Sequence, residues 1–306
     1  MNETRTAVLG YANNNISQAQ LVSYQIRGLV AYTVRESFHR WTLITYLIGI
    51  TFFLVLLSTA VNLDIVEGTL ASARLFGQNL EIGGQEIPVD NFVRWFQVGI
   101  ITILYSIGVL LALFLTCNHI PTMVREGWGG LLIAQPVSRS TLLLGRACGS
   151  VTVISIGVTY LVVGSWTVLR IKTGLGSTGF LFAGLIILLV YSICYSATIL
   201  AGIITRNGPV SGMAGLMAWV AGHVIYPFHA YTEWQALAFS PGWRRQVGTA
   251  FAEGLYWTFP KSQGMWQVAV AAAQNEPVSF LPILYSIPFA VLCMFLACWW
   301  FARSDY

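Results

Sequence analysis

Six stretches of this sequence run for twenty residues or more without a single Asp, Glu, Lys or Arg: 41–63, 95–118, 148–169, 179–205, 209–228 and 279–301. About twenty apolar residues in a helix cross the ~30 Å hydrocarbon core of a bilayer. Charged residues make up 9% of the 306-residue chain and hydrophobic residues 56%. Soluble domains average about 25% charged residues, so a chain this poor in charge has too little polar surface to stay in water. The sequence therefore predicts an all-α membrane protein with six transmembrane helices at about those six stretches.

Between the spans the chain alternates sides. Residues 1–21 are polar, without an apolar face, and read as a tail. No cleavable leader is expected, because the first apolar run is too long and begins too late. In 22–40, Ile26, Leu29, Val30, Val34 and Phe38 alternate with Arg27, Arg35, Glu36 and Arg40 at helical spacing. That pattern predicts an amphipathic helix lying on the cytoplasmic surface. Segment 64–94 holds Asp64, Glu67, Glu81, Glu86 and Asp90 and is placed outside, with a small hairpin expected at Gly83-Gly84. Segment 229–278 holds Trp234, Trp243, Trp257 and Trp266 and is also placed outside, as one or two short helices on or dipping into the surface. Short basic loops favour the cytoplasmic side, which puts 119–147 and both termini inside a plasma (inner) membrane.

The spans also limit mechanism. None contains an acid, Lys or Arg, and His223 is the one His well within a span. A helix-packing role is expected for it. Ion-coupled carriers need ionisable groups or broken helices at mid-membrane, so coupling to an ion gradient is not expected. The phosphate-binding pattern GxxxxGK[ST] is absent, and neither Lys172 nor Lys261 follows a Gly-rich loop. No hydrolytic constellation surrounds Ser165 or Ser196, and no catalytic site, metal site or cofactor is expected in this chain. Cys117, Cys148, Cys194, Cys293 and Cys298 show no metal-ligand or redox spacing and read as packing residues. The net charge of +4 is small and suggests no nucleic-acid partner.

The most informative polar stretch is 119–147, between the second and third spans. Arg125, Arg139 and Arg146 stand there against the single acid Glu126. Leu131-Leu132-Ile133-Ala134 is an apolar helical turn. Pro136 then breaks it, and Ser138 or Ser140 is placed to cap a new helix starting near Thr141. This stretch resembles the coupling loop of ABC-2 type transporter permeases. Glu126-Gly127 matches the family's acidic-Gly element, Leu131 and Leu132 fall in its apolar run, and Pro136-Val137-Ser138-Arg139 matches its turn nine residues after the Gly. Gly145-Arg146 is similar to the Gly-Lys/Arg that opens the next span. Trp128 and Met123 depart from the pattern, at the usual Thr and at a common second acid.

The resemblance implies a type V exporter-like architecture in which 22–40 is the elbow helix before the first span. It implies a permease subunit of an ATP-driven exporter, with ATP and Mg held by a separate ABC ATPase subunit. The ATPase-coupling interface would be Arg125, Glu126, Gly127, Leu131, Leu132, Pro136, Val137, Ser138 and Arg139. It also implies a second permease copy or a homologous permease. In the fifth span Ser211, Gly212, Gly215, Ala218 and Gly222 place small residues at helical spacing. These suit either packing within one bundle or a dimer seam, and the resemblance favours the seam. Membrane lipids and an extracytoplasmic partner at 229–278 complete the expected contacts. The alternative is a non-transporting membrane scaffold or assembly subunit that uses the loop to recruit another cytosolic protein.

Overall fold

The computed structural model describes residues 18–39, 41–66, 69–75, 78–80, 89–125, 138–174, 176–238 and 243–303. Helix α1 (Gln18–His39) begins four residues before the amphipathic pattern and α2 (Thr42–Ala60) follows it. The two meet at a 70° bend at Trp41, whose φ is 61°. Three short strands come next: β1 (Val61–Val66), β2 (Thr69–Leu75) and β3 (Gln78–Leu80). They form an antiparallel sheet in sequence order, with Val61 opposite Leu75 and Ala73 opposite Leu80. The first span thus stops at Ala60, three residues before its predicted end. The hairpin expected at Gly83-Gly84 falls outside the described residues; the observed strands precede it.

The second span is built in four pieces: α3 (Val89–Ile103), a π-helical turn (Leu104–Gly108), α4 (Val109–Thr116) and α5 (His119–Arg125). The remaining helices are α6 (Arg139–Thr173), α7 (Thr178–Thr205), α8 (Gly208–Ala238), α9 (Trp243–Thr258), α10 (Ser262–Ala273) and α11 (Leu281–Arg303). Among the described residues, five segments are long and apolar enough to cross a membrane: Val93–Val124, Arg139–Thr173, Thr178–Thr205, Gly208–Thr232 and Leu281–Arg303. The bent α1–α2 pair passes the same test only when its two helices are taken together. Apart from the small sheet, the described chain is helical, and it has the character of a multi-pass membrane protein.

Helix α7 is the centre of the bundle. Its apolar stretch is 61% buried, against 22% for the peripheral α11. Phe180, Ile186, Val190, Tyr191, Cys194 and Ile203 line its covered faces. The α7–α8 turn needs a left-handed residue, supplied by Arg206 at φ 53°. Pro209 lies in the first turn of α8, where its missing N–H costs nothing.

Helices α9 and α10 fill the second predicted outer segment, and α10 enters the bundle rather than resting on it. Met265, Ala269 and Ala273 of α10 are fully buried. The turn before α10 lies against Gly222, where an added Cβ would stand 2.1 Å from the Pro260 carbonyl oxygen. Gly222 is ten residues short of Thr232, the end of its span, so the turn dips about 15 Å below that end. The far end of α10 meets the start of α7, where a Cβ on Gly179 would lie 2.0 Å from the Ala272 carbonyl oxygen. Ser177 also donates to Asn275 at 2.9 Å. The pair α9–α10 is therefore a hairpin that enters and leaves by the same side.

Candidate functional site

Helix α6, which carries the third span, is capped at Ser138, one of the two positions the sequence offers. Ser138 is extended (φ −66°, ψ 146°), and its Oγ accepts from the Thr141 backbone N–H at 3.1 Å. This N-cap satisfies one of the unpaired amides of the first turn. One turn and a half further on, Arg146 sits in the bundle with 7% of its surface exposed.

Arg146 joins three elements. Its Nη1 forms an ion pair with Glu36 of α1 and donates to Thr33 Oγ1 at 3.3 Å. Its Nε donates to the His119 carbonyl oxygen, also at 3.3 Å, and its guanidinium lies 5.9 Å from the centre of the Tyr32 ring. Ser150, one turn on, donates to the Arg146 carbonyl, so its Oγ accepts from His119 Nδ1 at 2.8 Å. A guanidinium suits this place because its fork satisfies several acceptors at once.

The close approach of α1 to α6 depends on missing side chains. A Cβ on Gly145 would fall 2.5 Å from Leu29 Cδ1, and one on Gly149 2.5 Å from Thr33 Cβ. Thr33 and Ser37 face this seam with hydroxyls already bonded to Leu29 and Thr33 carbonyls at 2.9 Å. Both hydroxyls are thus satisfied within α1, and the Glu36 carboxylate pairs with Arg146. Val124, Thr205, Arg206 and Asn207 line a concavity at the same end of the bundle.

Of the predicted coupling residues, Ser138 caps α6 and Arg139 is its first residue, half-buried. The backbone of Arg125 closes α5. Glu126, Gly127, Leu131, Leu132, Pro136 and Val137 lie outside the described residues.

The structure places the small-residue stripe of the fifth span inside the bundle. Ser211, Gly212, Gly215, Ala218 and Gly222 are buried inside this chain. Ser211 Oγ donates to the Thr198 carbonyl at 2.8 Å. Cβ atoms at Gly212 and Gly215 would meet Cys117 at 3.1 Å and Thr198 Oγ1 at 2.1 Å. The stripe packs α8 against α4, α7 and the α9–α10 turn of the same chain. Larger side chains make the outward face of α8, among them Met213, Met217, Val220 and Val224.

His223 is a packing residue, as expected: Nδ1 donates to the Trp219 carbonyl at 3.0 Å, and the ring lies tilted 37° to Trp219 with the ring centres 4.0 Å apart. All five cysteines are free thiols.

Sequence reasoning missed a second buried cation. Lys261, in the turn between α9 and α10, is 2% exposed. Its Nζ lies 4.0 Å from the ring centre of Tyr256, 4.8 Å from Trp257 and 5.0 Å from Tyr285. Its backbone N–H donates to Ser286 Oγ of α11 at 2.9 Å. Burial pushes the ammonium below its ordinary pKa, and the three ring faces pull the other way. The sequence showed a Lys among aromatic residues but not that the hairpin closes them around it.

Compared with known proteins, the chain matches no family model and no curated sequence.

Proposed function

We propose that this chain is the permease subunit of an ATP-driven transporter of the ABC-2 kind, working as an exporter with a separate ATPase subunit. The support is the motif of segment 119–147 and its place between the second and third spans. The observation that carries the reading is the polar joint at Arg146. His119 at the start of the segment and Arg146 at its end are bonded to each other, and Arg146 is also paired with Glu36. A push on the segment from a docked ATPase therefore reaches α1, α5 and α6 together. Because α1 leads directly into α2, the same push is delivered to the first and third spans. Arg139 and Glu126 are the polar contacts assigned to the ATPase. The cargo path runs between this bundle and a second permease.

The test is gentle purification of the tagged protein from its own host, with identification of what accompanies it. A stoichiometric ATPase subunit with vanadate-sensitive turnover is the expected result. A complex whose cytosolic partner binds no nucleotide would overturn the transporter reading in favour of a scaffold.

A further inference from the structure

The Lys261 turn holds a positive charge that the described residues do not neutralise. Among them, no carboxylate lies within ion-pair distance of Lys261. Its one side-chain hydrogen bond runs to the Tyr256 carbonyl oxygen at 3.4 Å, longer than the usual 2.7–3.2 Å. Buried charges are ordinarily paired. Here three rings stand in for the missing anion.

An ammonium on the face of a ring draws electron density from it and makes its polar hydrogens stronger donors. Among the described residues, two such hydrogens find no acceptor: the indole N–H of Trp257 and the hydroxyl of Tyr285, on residues 60% and 39% exposed. The two rings meet edge to face, their centres 5.2 Å apart.

A cleft of about 440 Å³ opens beside this cage, lined by Tyr226, His229, Glu253, Tyr256 and Trp257. Tyr256 offers no free ring face to it, because His229 stacks on the ring at 4.1 Å while Lys261 lies 4.0 Å from its centre. The group in the cleft suited to a cation is therefore the exposed carboxylate of Glu253. Glu253 is one helical turn before Tyr256 and Trp257 on α9, and α9 descends toward the turn that holds Lys261. The acid is thus farther from the bilayer centre and the cation-backed donors are nearer. The headgroup of a zwitterionic phospholipid has the same order, its amine outermost and its phosphate next to the hydrocarbon.

We propose that the α8–α9 cleft and the Lys261 cage behind it bind the headgroup of a zwitterionic phospholipid, with the phosphate at Trp257 and Tyr285 and the ammonium at Glu253. This rests on the membrane-spanning character of the chain and not on ATP coupling, so it stands or falls separately from the transporter reading.

The experiment is native mass spectrometry of the purified protein in detergent with equal amounts of phosphatidylethanolamine and phosphatidylglycerol. The expected result is retention of phosphatidylethanolamine over phosphatidylglycerol by about tenfold, the factor that ~1.4 kcal/mol supplies. Glu253→Gln, a surface change that leaves packing intact, abolishes the preference by letting phosphatidylglycerol bind. Lys261→Met lowers retention of both lipids. Equal retention by the wild type, or a preference that survives Glu253→Gln, would overturn the proposal. Displacement of bound lipid by millimolar O-phosphoethanolamine would reassign the site to a soluble headgroup compound and overturn the lipid assignment.

Discussion

Arg146 and Lys261 are both buried cations, set toward opposite ends of the bundle and held in different ways. Arg146 has an acid, two further oxygen acceptors and a ring, contributed by α1 and α5. Lys261 has three rings and one long hydrogen bond. The difference follows from what each region joins. At Arg146 three separate elements converge, and a forked guanidinium satisfies acceptors from several directions. At Lys261 the α9–α10 turn meets α11, and a compact ammonium fills the gap between the ring faces they supply. The first is an ion pair that breaks at high cost. The second has no acid among the described residues to strand.

That contrast is sharpest in substitutions. Glu36→Gln leaves the Arg146 guanidinium buried without its acid and is expected to cost about 3–5 kcal/mol of stability. The readout is the unfolding midpoint in detergent. The double variant Glu36→Gln/Arg146→Met recovers most of the loss, because neither charge is then left buried alone. A single-variant loss below ~1 kcal/mol would show that the pair is effectively solvated.

Next in size is Gly222→Ala, expected to cost about 1–3 kcal/mol as overpacking. The new methyl meets the Pro260 backbone oxygen at 2.1 Å, and a carbonyl cannot rotate away as a side chain does. Protease sensitivity of the α9–α10 hairpin should rise with it. An unchanged melt would mean that the hairpin does not enter the bundle at Gly222.

Ser138→Ala removes the cap of α6 and is expected to cost ~1 kcal/mol, measurable in the same melts. Thr at the same position restores it. The smallest effect belongs to Lys261→Met. The lost cation–π attraction is offset by the lower cost of burying a thioether, which leaves the protein within ~1 kcal/mol of wild type. A loss as large as that of Glu36→Gln would erase the distinction between the two sites.

Much of this was written in the sequence, and the exceptions have physical causes. Uncharged runs of span length specify helices wherever the surroundings are apolar, so the spans fall close to their predicted places. The Ser138 cap was legible because Pro136 and the following Ser leave few ways to begin a helix. The ion pair was not legible: Glu36 and Arg146 are 110 residues apart, and nothing local relates them. The stripe from Ser211 to Gly222 was legible as a close-approach face but not as to which neighbour approaches, since small spacing looks the same toward another copy or toward α7. Its glycines accommodate the Pro260 carbonyl and Thr198 of this chain. The burial of Lys261 was not legible, because the hairpin that carries it is too short and too polar to register as a span.

The central claim is that the segment from His119 to Arg146 receives force from an ATPase and passes it on through the Arg146 joint. The most direct measurement is ATP hydrolysis by the purified complex carrying Arg139→Glu, with subunit stoichiometry recorded on the same sample. The account predicts either loss of the ATPase subunit or hydrolysis uncoupled from the permease. An intact complex with wild-type, vanadate-sensitive turnover, or a wild-type preparation with no ATPase subunit, would contradict it.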